Sequence, residues 1–321
     1  MKDLAKSAAK SLEIDADSAG QRLDNFLMRT LKGVPKSHVY RIVRSGEVRV
    51  NKGRARADTR LATGDVVRLP PLALTPASPK AGPTSLAARA GAALPVIFEG
   101  DGLLAVDKPC GIAVHGGSGL SFGVIEALRA QRGDGFLELV HRLDRDTSGA
   151  LLLATSRAAL VGMHALLRDG KVDKRYVAMV RGEWPHAAKH HIRIALAARV
   201  LASGEKRVRA SDDAEDDDAR EAHSVVSVLS RHADATLLEV QLKTGRTHQI
   251  RVHLSASGHP ILGDDKYGDF ALNRREKSRG FSRMFLHAKK LSFVHPLSGE
   301  RMRVEAPLPP ACVARLAADA A

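Results

Sequence analysis

Apolar residues in the first part of the chain are spaced as in two short helices followed by strands. They recur at intervals of three and four, first as Leu23, Phe26, Leu27 and Leu31 and then as Val39, Ile42 and Val43. Ser45-Gly46 ends the second run, and glycine is favoured just after the last turn of a helix. Alternating Val48 and Val50 predict a strand, Asn51-Lys52-Gly53 a turn, and residues 66–69 a closing strand. This pattern predicts a small folded unit at residues 20–70.

A second, larger unit is expected after a stretch with the composition of a linker. Residues 71–94 are rich in Pro, Ala, Gly and Ser and carry few charges. From 95 to 310, apolar runs typical of strands, such as 103–106 and 151–154, mix with helical spacing, as at 158–167. We therefore predict an α+β chain with a flexible leader at 1–19, folded domains at 20–70 and 95–310, and a tail at 311–321.

Charge narrows the range of partners. The 321 residues carry a net charge of +14 with a pI near 10.1, which favours a polyanion such as nucleic acid. Residues 20–70 hold twelve basic against four acidic residues, so this unit is the expected RNA contact. The candidate contact residues are Arg22, Lys36, Arg41, Arg44, Arg49, Lys52 and Arg54.

A membrane surface is the less favoured partner. The sequence has no basic amphipathic helix with bulky apolar anchors and no apolar run long enough to cross a bilayer. The two cysteines, Cys110 and Cys312, fit a reducing compartment. We expect a cytoplasmic protein that does not bind membranes.

Three polar clusters lie next to apolar strands, where functional loops are common. The first is His141-Arg-Leu-Asp-Arg-Asp146, whose composition does not separate Asp144 from Asp146 as the reactive acid. The second is Lys243-Thr-Gly-Arg-Thr-His-Gln-Ile-Arg-Val-His-Leu254, in which Thr247 is expected to cap a helix. The third, Lys171-Val-Asp-Lys-Arg-Tyr-Val-Ala178, contains Tyr176, whose ring suits stacking on a base.

A metal site is a weaker alternative for these regions. His248, His253 and His259 have no thiolate or well-spaced carboxylate beside them to complete a zinc site. The acidic run at 212–218 repels itself, so we expect a mobile loop there. Phosphate loops and dinucleotide fingerprints are absent from the sequence, and we expect no metal and no cofactor.

Together the three clusters resemble the pseudouridine synthases of the ribosomal large subunit, the RluA-like family. The matching stretches are residues 106–115, 141–149, 174–176, 244–254, 258–268 and 286–288, and residues 115–126 are similar to one subgroup of that family. Residues 20–70 resemble the small S4-type RNA-binding domain. The resemblance implies an S4-type domain followed by a catalytic domain built on a mixed, mainly antiparallel sheet flanked by helices.

The resemblance also implies an activity, the isomerisation of chosen uridines in 23S ribosomal RNA without a cofactor. Asp144 matches the family's catalytic carboxylate, and Arg246 matches the arginine whose charge would keep that carboxylate ionised. Tyr176 matches the tyrosine that stacks on the uracil and handles a proton. Arg142 matches the arginine that fills the space left by a flipped-out base. Further substrate contacts are expected from His141, Leu286, Thr247 and Gln249.

Two other functions stay open at this point. One is a sister synthase that acts on another ribosomal or transfer RNA uridine. The other is a non-catalytic RNA-binding or ribosome-assembly protein that keeps the domain. The expected partner is large-subunit ribosomal RNA or a ribosome assembly intermediate, and the chain is expected to be a monomer.

Overall fold

The computed structural model describes residues 9–15, 18–31, 34–71, 94–116, 123–133, 135–200, 206–211, 216 and 218–318. The chain divides into two units, 1–84 and 85–321. The predicted linker at 71–94 lies almost entirely outside the described residues.

The amino-terminal unit packs two helices on a small antiparallel sheet. Its elements are α1 (Leu23–Thr30), α2 (Lys36–Arg44), β1 (Lys10–Glu13), β2 (Arg49–Val50), β3 (Gly53–Arg54) and β4 (Val66–Leu69), with the strands in the order β1-β4-β2-β3. The residues that set the helical spacing form its core, and Leu23, Leu27, Val39 and Ile42 are all fully buried. Gly46 has a φ of 75°, which fits its predicted place after α2.

Part of the predicted leader is folded. β1 pairs with β4 from Lys10 opposite Leu69 to Glu13 opposite Val66, and Ile14 is 1% exposed in the core of this unit. The expectation of a flexible leader over 1–19 is therefore wrong for residues 10–14. The strand has four residues, and only Leu12 within it and Ile14 directly after it face inward, so the alternation is too short to stand out in the sequence.

The larger unit is built on a long mixed sheet. Its strands are β5 (Val96–Gly100), β6 (Leu103–Lys108), β7 (Glu138–Leu139), β8 (Ser148–Ala154), β9 (Asp173–Arg181), β10 (His190–Ile192), β13 (Ser224–Arg231), β14 (Ala235–Leu242), β15 (Leu286–Val294) and β16 (Arg301–Glu305). The order is β10-β13-β14-β9-β15-β8-β6-β5, with β16 beside β15 and β7 beside β8. Within the described residues, only β15 and β8 pair in parallel, so the sheet is mainly antiparallel, as predicted.

Helices cover both faces of this sheet, and a separate two-stranded ribbon lies beside it. The helices are α3 (Val124–Arg132), α4 (Arg157–Arg168), α5 (Gln249–Ala256), α6 (Phe270–Ser278) and α7 (Pro310–Ala317), and the ribbon is β11 (Ala195–Val200) with β12 (Lys206–Ser211). Successive residues of β8 face opposite sides, Leu151 and Leu153 toward α3 and α5, Leu152 and Ala154 toward α4. A strand buried on both faces explains the continuous apolar run at 150–154.

The predicted carboxyl-terminal tail is also folded. α7 covers most of residues 311–321, Cys312 is fully buried, and the Arg315 Nε donates to Glu276 Oε2 at 2.5 Å. Only residues 319–321 lie outside the described part of that segment. The acidic run at 212–218 is described only at Asp216 and Asp218, and Asp216 forms an ion pair with Arg209 at 2.6 Å.

Candidate active site

An open pocket of about 1280 Å³ in the larger unit brings the three polar clusters together. It is lined by the loop between β7 and β8, by side chains from β9 and β15, and by the segment that leads from β14 into α5. The parallel pairing of β15 with β8 places His287 opposite Ser148 and Ala288 opposite Gly149. The start of β15 therefore lies beside the loop that carries Asp144.

Gly149 permits the close approach of β15 and β8. Its φ is 109°, and a β-carbon there would lie 2.3 Å from the carbonyl oxygen of Ala288. Any other residue would force the two strands apart next to the loop that carries Asp144.

Asp144 faces two basic side chains across the pocket. Its Oδ2 lies 3.5 Å from Arg251 Nη1, and its Oδ1 lies 4.0 Å from His248 Nε2. The carboxylate is 25% exposed, so it stays open to a ligand. Asp146 instead forms an ion pair with its neighbour Arg145 at 3.1 Å. This geometry separates the two acids, which composition could not do.

Arg251 is held in place by a second carboxylate. Its Nε and Nη2 each lie 2.7 Å from an oxygen of Asp264, and both side chains are almost fully buried. Burial opposes the charge of Arg251, but the hydrogen bonds to Asp264 and the charges of Asp264 and Asp144 outweigh it and raise the pKa of the guanidinium. Arg251 is therefore a fixed positive charge beside Asp144.

The expected pairing of Arg246 with Asp144 is wrong. Arg246 is exposed on the loop before α5, and its Nε donates to the backbone carbonyl of Glu221 at 3.0 Å. Arg251, on the first turn of α5, takes the place beside the carboxylate. The run 244–254 contains both arginines, and the helical turn decides which one lies beside Asp144. Arg246 still lines the pocket wall.

Tyr176 and Leu286 form an apolar wall next to Asp144. Tyr176 lies opposite Ala288 and Leu286 opposite Ala178 on the paired strands β9 and β15, so both side chains share one face of the sheet. Burial, with a smaller contribution from Asp144, raises the pKa of Tyr176. The phenol therefore keeps its proton at neutral pH. A neutral ring and an aliphatic side chain suit a flat, uncharged base.

The other residues expected to contact substrate differ in their exposure and in the hydrogen bonds that they already form. Arg142 and Thr247 are exposed on the pocket wall. His141 is engaged, because its Nε2 accepts the backbone N–H of Leu152 at 3.1 Å, and burial lowers its pKa to about 4. A neutral His141 therefore ties the Asp144 loop to β8.

The start of α5 differs from the prediction. The helix begins at Gln249, the preceding residue is His248 with a left-handed φ of 54°, and Thr247 does not cap it. Ser257 ends the helix and Gly258 follows with a φ of 83°, as expected of that glycine.

Gln249 is a structural residue, which corrects its expected role in substrate binding. The side chain is 2% exposed, and both ends of its amide are used. Its Oε1 accepts from the hydroxyl of Thr244 and the N–H of Arg246, and its Nε2 donates to the carbonyl of His223 and the hydroxyl of Ser224. These bonds hold the loop before α5 in shape.

Lys108 is a structural anchor to which the sequence analysis assigned no role. It is fully buried at the end of β6, and its Nζ donates to the carbonyls of Pro109, Ile112 and Arg145 at 2.9, 2.7 and 2.9 Å. Burial lowers the pKa of this amine to about 8. The bond to Arg145 fixes the backbone immediately after Asp144.

The three histidines considered for zinc have separate partners. His253 bonds to Ser224 and the carbonyl of Ile194, and His259 to the carbonyl of Arg181. His248 bonds to Tyr267. Among the described residues, no group of three or more His, Cys, Asp or Glu side chains is arranged to hold a metal ion.

In the amino-terminal unit, most candidate RNA contacts already bond within the unit. Arg22 pairs with Asp24 at 2.8 Å and Arg41 with Glu47 at 3.3 Å. Arg49 and Arg54 donate to the carbonyls of Lys52 and Ser45. Arg44 forms no ion pair with any described residue, and the side chain of Lys36 lies outside the described residues.

Comparison with known proteins agrees with this arrangement. The profile for RNA pseudouridylate synthases matches residues 102–256, and the S4 domain profile matches residues 21–67. The ribosomal large subunit pseudouridine synthase C of Haemophilus influenzae is 50% identical over 95% of this chain and 93% of its own length. The protein of the same name from Escherichia coli K12 is 49% identical over 94% and 93%. The chain belongs to the RNA pseudouridylate synthase family.

Solved structures agree with the fold of this synthase. Human RNA pseudouridylate synthase domain containing 1 superposes with a TM-score of 0.57 at 26% identity, covering 69% of this chain and 87% of the human chain. Human RNA pseudouridylate synthase domain containing 4 superposes with a TM-score of 0.56 at 26% identity, covering 70% and 92%. Both the S4 domain and the synthase domain expected from the sequence are confirmed. In the part of the synthase that the structure describes, no helix has the length and apolar character needed to span a bilayer.

Proposed function

We propose that this synthase converts uridines of 23S ribosomal RNA to pseudouridine, with Asp144 as the catalytic carboxylate. The observation that carries the proposal is the position of Asp144 in the pocket, between the fixed charge of Arg251 and the wall of Tyr176 and Leu286. The ribosomal RNA substrate is supported by the names of relatives about 50% identical over nearly the whole chain.

The reaction needs no redox change and no external group. The bond between the ribose C1′ and uracil N1 breaks, the uracil turns, and C1′ bonds to C5. The hydrogen on C5 is then lost, and N1 gains one. A carboxylate serves this sequence either as a nucleophile or by stabilising positive charge on the ribose. In either role Arg251, whose Nη1 lies 3.5 Å from Asp144 Oδ2, places a positive charge beside the reacting carboxylate.

The neighbours of Asp144 fit the remaining steps. Tyr176 and Leu286 offer a surface on which the uracil can turn while it stays in the pocket. The phenol of Tyr176 keeps its proton, so it suits hydrogen bonding to the base and the relay of the C5 proton to a second acceptor. A base in folded RNA must leave its stack to reach Asp144, at a cost of a few kcal/mol. Arg142 is exposed at the pocket wall, and we assign to it the filling of the space that the base leaves.

Pseudouridine mapping across all stable RNAs tests this proposal. RNA from a strain that lacks the gene is compared with RNA from the same strain carrying the wild-type gene. We expect the loss of specific 23S pseudouridines, restored by the wild-type gene. Loss confined to transfer RNA or 16S RNA would contradict the substrate assignment. An unchanged map would favour a non-catalytic role.

A further inference from the structure

A chain of polar contacts runs from strand β12 to Asp144. The backbone N–H of Val208 donates to the hydroxyl oxygen of Tyr267 at 3.2 Å. That hydroxyl lies 2.9 Å from His248 Nδ1, and His248 Nε2 lies 4.0 Å from Asp144 Oδ1. The catalytic carboxylate is thus linked, through one tyrosine and one histidine, to the ribbon β11–β12.

The two neighbours of His248, Tyr267 and Asp144, favour one tautomer of the imidazole. The hydroxyl of Tyr267 accepts from Val208 and keeps its own hydrogen, which it donates to His248 Nδ1 when that nitrogen is unprotonated. An accepting Nδ1 leaves the proton of a neutral imidazole on Nε2. The opposite tautomer would turn an unprotonated Nε2 toward the Asp144 carboxylate, which is electrostatically unfavourable.

The charged groups around His248 agree with a neutral ring. Asp144 and Asp264 favour the protonated form, and Arg251 and Lys266 oppose it. Burial is the largest effect and lowers the pKa of His248. At neutral pH the ring is therefore an uncharged donor, and its one N–H points toward Asp144.

The position of His248 combines an uncommon backbone conformation with a well-packed partner, Tyr267. Its φ of 54° lies in the left-handed region, which is uncommon outside glycine and which asparagine, aspartate and histidine adopt more often than other residues. Two guanidinium groups contact the ring of Tyr267, its partner, with Arg251 at 5.1 Å and Arg207 at 5.5 Å from the ring centre. A strained backbone held by a packed partner is typical of a functional site.

We propose that His248 positions Asp144 for reaction, its Nε2–H donating to Oδ1 while Arg251 holds Oδ2. The proposal rests on the proposed role of Asp144. The 4.0 Å gap closes when RNA fills the pocket, since catalytic hydrogen bonds are often long in the free enzyme. Tyr267, held by the N–H of Val208 in the ribbon β11–β12, and the carboxylate of Asp144 together favour the tautomer that carries its proton on Nε2.

Two substitutions at His248 separate this role from a purely structural one. Glutamine places an amide nitrogen near the position of Nε2, whereas asparagine reaches only the position of Nδ1. The left-handed backbone favours asparagine over glutamine. A structural role therefore predicts that His248→Asn is the better variant, and the positioning role predicts the reverse order for kcat.

The experiment measures tritium release from a transcript labelled at uridine C5, over a range of RNA concentrations, together with thermal unfolding of each variant. We expect kcat to fall at least about tenfold in His248→Asn and clearly less in His248→Gln, with KM little changed in both. Tyr267→Phe, which loses only the hydroxyl, should lower kcat several-fold. His232→Gln, whose ring bonds to Ser230 outside the pocket, is the matched control and should behave as wild type.

Asp144→Asn in the same assay distinguishes the failure of this inference from the failure of the proposed function. If Asp144→Asn turns over at the wild-type rate, both are overturned. If it is inactive while His248→Asn equals or exceeds His248→Gln in kcat, only the positioning role is overturned. Should the His248 variants fail to fold, Tyr267→Phe decides, and an unchanged kcat there overturns the link through the tyrosine.

Discussion

Arg251 has two separable roles, a structural one toward Asp264 and an electrostatic one toward Asp144. Arg251→Gln leaves the carboxylate of Asp264, 1% exposed, without its guanidinium. Removing one partner of a buried pair costs about 3–5 kcal/mol of stability. Arg251→Gln combined with Asp264→Asn removes both charges and leaves two polar amides that can hydrogen-bond to each other. We expect this double variant to lie within about 1–2 kcal/mol of wild type.

The effect on catalysis should not be rescued in the same way. Two unit charges at the 3.5 Å that separates Arg251 Nη1 and Asp144 Oδ2 interact by roughly 4–5 kcal/mol at an effective dielectric constant of about 20. Asp144 is 25% exposed, so screening reduces this figure to about 3 kcal/mol. If the interaction acts on the transition state, kcat falls about a hundredfold. Both the single and the double variant lose it, because neither returns a charge beside Asp144.

Urea unfolding and single-turnover pseudouridine formation on one RNA test this pair of expectations. We expect Arg251→Gln to lower both the free energy of unfolding and the rate of pseudouridine formation. The double variant should lower the rate while its free energy of unfolding stays near that of wild type. A double variant that regains wild-type turnover along with its stability would refute the electrostatic role of Arg251. Arg246→Gln is the control variant, because Arg246 is the arginine that was predicted beside Asp144. It should keep most of its turnover under saturating RNA.

Three further outcomes follow from the structure. Burial lowers the pKa of His287 to about 4 from 6.5, so the unfolded chain takes up this proton first. The stability that neutral His287 contributes is lost as the pH falls from 6.5 to about 4, by up to about 1.4 kcal/mol per pH unit. In urea unfolding, His287→Asn should therefore show a shallower dependence of the unfolding free energy on pH. Gly149→Ala should cost about 2–3 kcal/mol of unfolding free energy, against about 1 kcal/mol for Gly170→Ala, which has a left-handed φ but open space around it. Arg44→Gln should reduce the slope of log affinity against log salt by about 0.7–0.9 in RNA binding.

The periodic parts of the chain were predictable from sequence. The spacing of Leu23, Leu27 and Ile42 marks residues that fill the amino-terminal core, and the unbroken run at 150–154 marks a strand buried on both faces. Burial of one face at a fixed period leaves a signal in the sequence. Short or irregular pieces leave none, which is why β1 and α7 were assigned to a leader and a tail.

The polar clusters of the site were found, but their pairings were not. Arg246 and Arg251 lie five residues apart in one motif, and the register of a helix that begins at Gln249 decides which one meets Asp144. Gln249 is polar and lies in the motif, so a substrate contact was expected of it. Its amide instead hydrogen-bonds to Thr244 and to the carbonyl of His223. Such pairings depend on contacts between distant segments, as between Arg251 and Asp144, and no local pattern records them.

The role of Asp144 is tested most directly by single-turnover pseudouridine formation with Asp144→Asn and Asp146→Asn on the same ribosomal RNA transcript. Each variant removes one negative charge, and the two positions are two residues apart. RNA binding and thermal unfolding, measured in parallel, show whether each variant is folded. We predict that Asp144→Asn binds the RNA and forms no pseudouridine. Asp146→Asn should keep measurable turnover, because the carboxylate that it loses is paired with Arg145 in the wild type. Wild-type turnover in Asp144→Asn, or complete loss only in Asp146→Asn, would contradict the assignment.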